Sequence, residues 1–291
     1  MAVVLIIGSS TGIGRRTAET LAAAGHTVYA TMRDPEGRDA TSVAELASLG
    51  HDLHVVPLDV TAQASADAAV QRVIAEAGGL DVVVHNAGHL YIGYVEAFTD
   101  ADIAHLLDVN AIGAHRVNRA VLPHMRRRRS GTLVYVGSTI LVTTPPFLGP
   151  YVASKAAFDA LAVVTSYEAA QFGIETSIVM PGAITRGTQH FPNASRATDE
   201  RVTAEYAELD PLVARTHEAH ERLFEPGEEA DPQDVADEIR RILDLPVGRK
   251  PFRSVVDAAR AGVDHVMAFA DLTREEFVRR LGFAETLELK R

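Results

Sequence analysis

The sequence contains no cysteine, which excludes disulfides, thiolate zinc sites, iron–sulfur ligation and a cysteine nucleophile. That absence fits a reducing compartment, and the cytoplasm is the expected location. Positive charge is also short. Lys plus Arg total 28 against 39 Asp plus Glu, a formal net charge of −11. An acidic chain is a poor general binder of nucleic acid, because phosphate contacts need cations. No nucleic-acid partner is expected. No apolar run approaches the ~18 residues of a membrane span. The opening run Ala2–Ile7 lacks a basic flank and stops at Gly8, so neither a secretory leader nor a membrane span is expected. No internal repeat or low-complexity segment is present. What remains is ordinary for a globular chain: 291 residues, 47% hydrophobic and 23% charged. A chain of that length buries a large core without staples.

Short apolar runs alternate with helical stretches. Strands are expected at Val3–Ile7, Thr27–Thr31, Leu53–Leu58, Asp81–Val84, Thr132–Val136 and Glu175–Val179, with a seventh at Phe252–Val256. The intervening pattern predicts helices over Gly12–Ala24, Thr61–Ala77, Asp100–Arg127 (with Pro123 a late kink or break) and Tyr151–Phe172. Asp234–Leu243 is another. Thr273–Leu281 carries a capping-box pattern, Thr273-Arg274-Glu275-Glu276. Such alternation implies right-handed βαβ crossovers and a parallel sheet covered on both faces. Ligands in these sheets bind beyond the carboxyl ends of the strands. Residues 183–232 turn polar and charged, too long for a plain connection, and read as a lid over the site. Residues 257–291 form a helical C-terminal extension of a single domain spanning 1–291.

The chemistry-bearing residues fall at strand ends. Gly8-Ser9-Ser10-Thr11-Gly12-Ile13-Gly14 joins the first strand to the first helix, where glycines let backbone approach a pyrophosphate and the helix N-terminus supplies N–H donors. No Lys–Ser/Thr follows, which disfavours a P-loop. Asn86-Ala87-Gly88 follows strand four, and Asn110 lies in the next helix. Ser138 closes strand five, Tyr151 and Lys155 form a Y-x-x-x-K, and Pro181-Gly182 ends strand six. Tyr and Lys at i and i+4 share a helical face. A neighbouring ammonium lowers a phenol pKa from its usual ~10.

Taken together and in this order, these motifs resemble the short-chain dehydrogenase/reductase family in its single-domain branch, over roughly Val3 to Gly182. The resemblance implies an α/β fold, a Rossmann-type doubly wound, mostly parallel seven-stranded sheet with helices on both faces. It implies a catalytic set of Asn110, Ser138, Tyr151 and Lys155. Tyr151 is then the general acid/base, Ser138 bonds the reacting oxygen, Lys155 lowers the Tyr151 pKa and holds the nicotinamide ribose, and Asn110 places a water in a proton relay. It also implies cofactor contacts from Gly8, Ser10, Thr11, Gly12, Ile13 and Gly14, from Arg33, Asp59 and Val60, from Asn86, Ala87 and Gly88, from Tyr151 and Lys155, and from Pro181 and Gly182.

Strand two ends without an acid for a ribose 2′-hydroxyl, and Arg33 in its turn can grip a 2′-phosphate. Ser9, Ser10 or Thr11 can add a hydroxyl. The run from Val28 to Asp34 resembles NADP-preferring hydroxysteroid and retinol dehydrogenases, so NADP(H) is expected over NAD(H). The competing reading of Arg33 is a surface pair with Asp34. Apolar Leu90, Tyr91, Tyr94, Ile140–Val142 and Pro145–Leu148 are candidates for a pocket that takes a lipophilic ketone, aldehyde or secondary alcohol. The alternatives are a catalytically silent NADP sensor, which the intact Tyr151 and Lys155 oppose, and a sugar-nucleotide epimerase or dehydratase, which the glycine spacing disfavours.

Three other features have blander readings. Arg126–Arg129 is a solvated helix end. His217 and His220, three apart, lack companion ligands, and no metal is expected. The Tyr151 helix is apolar on more than one face, through Phe158, Leu161 and Val164, which fits a homodimer or homotetramer, with a simple buried helix as the competing reading.

Overall fold

A computed structural model describes residues 1–225 and 227–290; Pro226, inside the expected lid, and Arg291, at the end of the expected extension, lie outside the described residues. The chain builds a seven-stranded sheet in the order β3-β2-β1-β4-β5-β6-β7. The strands are β1 (Val3–Ile7), β2 (Thr27–Met32), β3 (Leu53–Pro57), β4 (Val82–His85), β5 (Gly131–Val136), β6 (Ile174–Pro181) and β7 (Arg253–Val256). Every neighbouring pair is parallel.

Alternate side chains on these strands enter opposite layers. Leu5, Ile7, Tyr29, Val83, Leu133, Tyr135, Ile178 and Met180 pack beneath α3 (Gln63–Ala77), α5 (Gly113–Arg128) and α7 (Gly149–Ala170). Val4, Ile6, Val28, Ala30, Val84, Val134, Val136 and Val179 pack against α1 (Gly12–Ala23), α2 (Ala40–Ala47) and α11 (Pro232–Asp244). Burial on both faces is why these strands read as unbroken apolar runs. From β1 the chain winds outward to β3, then returns to place β4 on the other side of β1. The carboxyl ends of β1 and β4 therefore flank a topological switch point.

Several local expectations are corrected. The long helix from Asp100 is three pieces: α4 (Asp100–Leu107), a π-helical turn at Asp108–Ile112, and α5. Pro123 stays inside α5 without ending it. α3 starts at Gln63, because Thr61 is bound to Asp59 in the preceding turn (N···Oδ1 2.9 Å, Oγ1···Oδ1 2.7 Å). The last helix, α12 (Val263–Arg280), opens after Gly262, so Thr273 is no cap; its hydroxyl donates back to the Phe269 carbonyl at 2.9 Å. The arginine run at the end of α5 is not merely solvated. Arg128 bonds Asp81 at 2.9 Å, and Arg126 and Arg129 lie over the Phe172 ring.

The remaining short helices are α6 (Ile140–Thr143), between β5 and α7, and, after β6, α8 (Glu200–Glu205), α9 (Asp210–Ala214) and α10 (Thr216–Glu221). Among the described residues, no helix is long and apolar enough to cross a membrane.

One core residue sets an acid limit on stability. His85 ends β4 fully enclosed, its ring stacked on Tyr135 at 4.6 Å. Burial pulls its pKa down to about 4. The folded form then binds the proton less readily than the unfolded chain, whose histidine titrates near ~6.5. Stability attributable to His85 is present above that value and lost as pH falls toward about 4. The loss amounts to about 3 kcal/mol. Urea unfolding between about pH 7 and about pH 4.5 should show it, and His85→Leu should flatten the acid limb. An equally steep limb in the variant contradicts this assignment.

Candidate active site

A cavity of about 1090 Å³ opens at the switch point, with the β1 turn, the β2 turn, the ends of β4 to β6, the start of α7 and the segment after β6 in its walls. It is lined by every expected cofactor residue except Gly14, and by Ser138. Gly8 has φ +80°, and a Cβ there would lie 2.9 Å from the Ala87 Cα, so the β1 turn and the β4 exit touch through bare backbone. Gly14 instead serves packing. A Cβ on it would come within 2.0 Å of the Gly8 carbonyl oxygen. Asn86 ties the two loops by donating to the same carbonyl at 2.6 Å. Ser9 is buried with its hydroxyl donating to the Ile6 carbonyl at 3.1 Å, so of the three hydroxyl residues in this turn only Ser10 and Thr11 line the cavity. Thr11 caps α1 without a side-chain hydrogen bond, and the first turn of α1 holds no acid.

Arg33 is exposed at the cavity rim and has no ion pair among the described residues. The pairing with Asp34 does not form: Asp34 accepts from the backbone N–H groups of Gly37 and Arg38 at 3.0 and 3.1 Å. Arg38 joins Arg33 in the wall, a residue that sequence reasoning missed. Asp59 also lines it. Burial opposes its ionisation, but bonds from Thr61 and the charges of Arg33 and Arg116 hold its carboxyl below the usual range.

The polar cluster at the start of α7 is tightly wired. Asn110, in the π turn, does not line the cavity. Its Oδ1 accepts from the His89 N–H at 2.7 Å, and its Nδ2 donates to the His89 carbonyl at 2.9 Å and to Ser154 Oγ at 2.8 Å. Both amide N–H groups are thereby engaged, while Oδ1 keeps a second lone pair. Lys155 Nζ donates to the Val136 and Gly137 carbonyls at 3.1 and 3.4 Å, and burial draws its pKa down to about 8. Ser138 Oγ accepts from the Ile140 N–H at 3.2 Å. Tyr151 is buried, and burial raises its pKa well above its ordinary value. Lys155 makes no bond to it. Its hydroxyl instead lies 3.2 Å from Nε2 of His190, a residue carried by the segment after β6. Burial, with the charges of Lys155 and His89 adding, depresses His190 to about 3.

That segment is fastened down. Ser195 N–H donates to the Leu90 carbonyl at 2.9 Å and its carbonyl accepts from the Ile92 N–H at 3.0 Å, in a parallel bridge beside Tyr91. Asp102 Oδ2 receives the Thr198 N–H and hydroxyl at 3.1 and 2.8 Å. Of the expected pocket residues, Leu90, Ile140, Pro145, Pro146 and Leu148 line the cavity. Tyr91, Tyr94, Leu141, Val142 and Phe147 do not. Tyr94 turns away and donates to Asp210 at 2.7 Å. His217 and His220 bond the carbonyls of Thr185 and Thr216.

Residues 2–199 match the family model for short chain dehydrogenase. The chain is 32% identical over 198 residues to a 3-ketodihydrosphingosine reductase from Bacteroides thetaiotaomicron, covering 68% of this chain and 70% of the relative. It is 32% identical over 248 residues to retinol dehydrogenase 8 from Bos taurus, covering 82% and 77%. A solved short-chain dehydrogenase from Streptomyces avermitilis superposes with a TM-score of 0.76 at 30% identity, over 96% of this chain and 97% of that one. The chain belongs to the short-chain dehydrogenase/reductase family of oxidoreductases.

Proposed function

We propose that this protein is an NADP(H)-dependent oxidoreductase that reduces a lipophilic ketone or aldehyde, or oxidises the matching secondary alcohol, with Tyr151 as general acid/base. One observation carries the reading: Ser138, Tyr151 and Lys155 line the same cavity as the glycine turn, so an acid/base and a dinucleotide cradle share one enclosed space.

The residues fit a dinucleotide. The start of α1 offers backbone donors with no competing acid or side-chain cap, which suits a pyrophosphate. Arg33, free of any ion pair, with Arg38 beside it, suits a 2′-phosphate. Asp59 and Val60, with Asn86, Ala87 and Gly88, would border the adenosine; Tyr151, Lys155, Pro181 and Gly182 would border the nicotinamide half. When bound, the nicotinamide gives or takes the hydride.

The chain's own residues do the rest. The Tyr151 hydroxyl donates its proton to the carbonyl oxygen as that oxygen gains charge, and takes it back in the reverse direction. Ser138 Oγ donates to the same oxygen and orients it. Lys155, held by two carbonyls, supplies local positive charge and a donor for the ribose. Asn110 fixes the Gly88–His89 backbone against α7 rather than touching substrate. The apolar wall of Leu90, Ile140, Pro145 and Leu148 favours a lipophilic substrate, as do relatives named for 3-ketodihydrosphingosine and for retinol. Residues 183–232 act as the lid. Exposed Leu161 and Val164 on α7 support a homo-oligomer, and the cysteine-free composition supports a cytoplasmic location.

The test is isotopic. NADPH carrying deuterium at both C4 positions of the nicotinamide should deliver label to the carbinol carbon of a reduced lipophilic ketone. Product alcohol without label refutes direct hydride transfer.

A further inference from the structure

We propose that His190 is a positioning residue for the Tyr151 acid/base: its imidazole holds the Tyr151 hydroxyl in line and donates Nε2–H to the oxygen once the proton has left. The inference rests on the acid/base reading of Tyr151.

The geometry is specific. His190 Nε2 lies 3.2 Å from Tyr151 Oη, with ring centroids 5.3 Å apart in an edge-on contact. No other hydrogen-bond partner of that hydroxyl exists among the described residues. Lys155, the expected stabiliser, directs two of its three donors to the Val136 and Gly137 carbonyls and makes no hydrogen bond to that hydroxyl among the described residues. Burial works against a phenolate here, so some donor must offset it. The groups facing His190 are Tyr151 and Lys155 from α7 and His89 from the loop after β4; Phe191 separates it from His217 and His220 on α10. None is an acid, and burial, with the charge of nearby Lys155 adding, keeps the ring neutral. His190 therefore acts as an N–H dipole and not as a second cation. The proton balance closes: Tyr151 gives its proton to the substrate oxygen, Oη becomes the acceptor, and the His190 tautomer with hydrogen on Nε2 donates to it. The Ser195 bridge to Leu90 and Ile92 keeps the ring in place.

Two variants and one spectroscopic reading test this. His190→Phe keeps a ring and removes the donor; His190→Gln restores an N–H. In alcohol oxidation, kcat/KM rises with pH as Tyr151 ionises. His190→Phe should lower kcat about ten-fold, leave KM little changed, and move that limb up by about one pH unit. His190→Gln should recover most of both. In nitrogen-15 histidine-labelled protein without cofactor, Tyr151→Phe should shift the His190 Nε2 resonance, assigned with His190→Gln. An unmoved limb in His190→Phe, a Gln variant no better than Phe, or an unshifted resonance overturns the proposal. If Tyr151→Phe is inactive while His190→Phe behaves as wild type, only this inference fails; if Tyr151→Phe stays active, the acid/base reading itself fails.

Discussion

Tyr151→Phe should lower turnover about a thousandfold while leaving NADPH affinity within about twofold of wild type. The substitution removes one oxygen from a buried ring and keeps its packing against Leu90, Ile140 and Leu148. The fold and the glycine cradle are therefore preserved. Without the hydroxyl, the developing alkoxide has no proton source. Ser138 can still donate a hydrogen bond to it, but among the described residues the Ile140 N–H is the one hydrogen-bond partner of its Oγ, and no group is placed to reprotonate it. Residual turnover reflects orientation and hydride transfer alone. Steady-state kinetics with a fluorescence titration of NADPH separate the two effects. A variant that keeps more than about a tenth of wild-type kcat removes Tyr151 from the chemistry.

The second large effect is expected at the β2 turn. Arg33→Ala should raise the KM for NADPH about 10- to 100-fold and leave that for NADH nearly unchanged. The reason is selective: of the two cofactors only NADPH carries a 2′-phosphate, which the exposed Arg33 guanidinium at this rim would bind. Arg33 has no internal partner to lose, since Asp34 is taken by the Gly37 and Arg38 backbone. Stability should accordingly be unaffected. Arg38, beside Arg33 in the wall, keeps part of the affinity, so Arg33→Ala with Arg38→Ala should lose more than either alone. Equal KM values for the two cofactors in the wild type, or a loss shared equally by NADH, contradicts the role of Arg33.

Much of the architecture is legible in the sequence because its physics is local. Strands such as Val3–Ile7 and Thr132–Val136 lie between two helical layers and are apolar almost throughout, buried Thr132 excepted. Glycine is legible at positions 8 and 14 because close backbone leaves no room for a side chain, and at position 12 because its φ of +58° favours glycine. The π turn at Asp108–Ile112 is not. One extra residue in a helix barely disturbs apolar periodicity, yet it sets where Asn110 points. The Thr273 pattern misleads because a capping box and a back-bonded mid-helix threonine share a sequence. α2 is short and offers little apolar signal beyond buried Leu46.

At the site, the helical period places Tyr151 and Lys155 one turn apart. It cannot show that the Val136 and Gly137 carbonyls take the ammonium. His190 carries no signal at all. It meets Tyr151 only because Ser195, far along the chain, pairs with the loop after β4. That contact is tertiary and leaves no period or motif behind.

The most direct measurement is the initial rate of NADPH and of NADH oxidation by the wild-type protein across a panel of lipophilic ketones and aldehydes. The account predicts turnover with at least one carbonyl, faster at equal low cofactor concentration with NADPH than with NADH. Failure to bind either cofactor, or turnover that favours NADH, would contradict it.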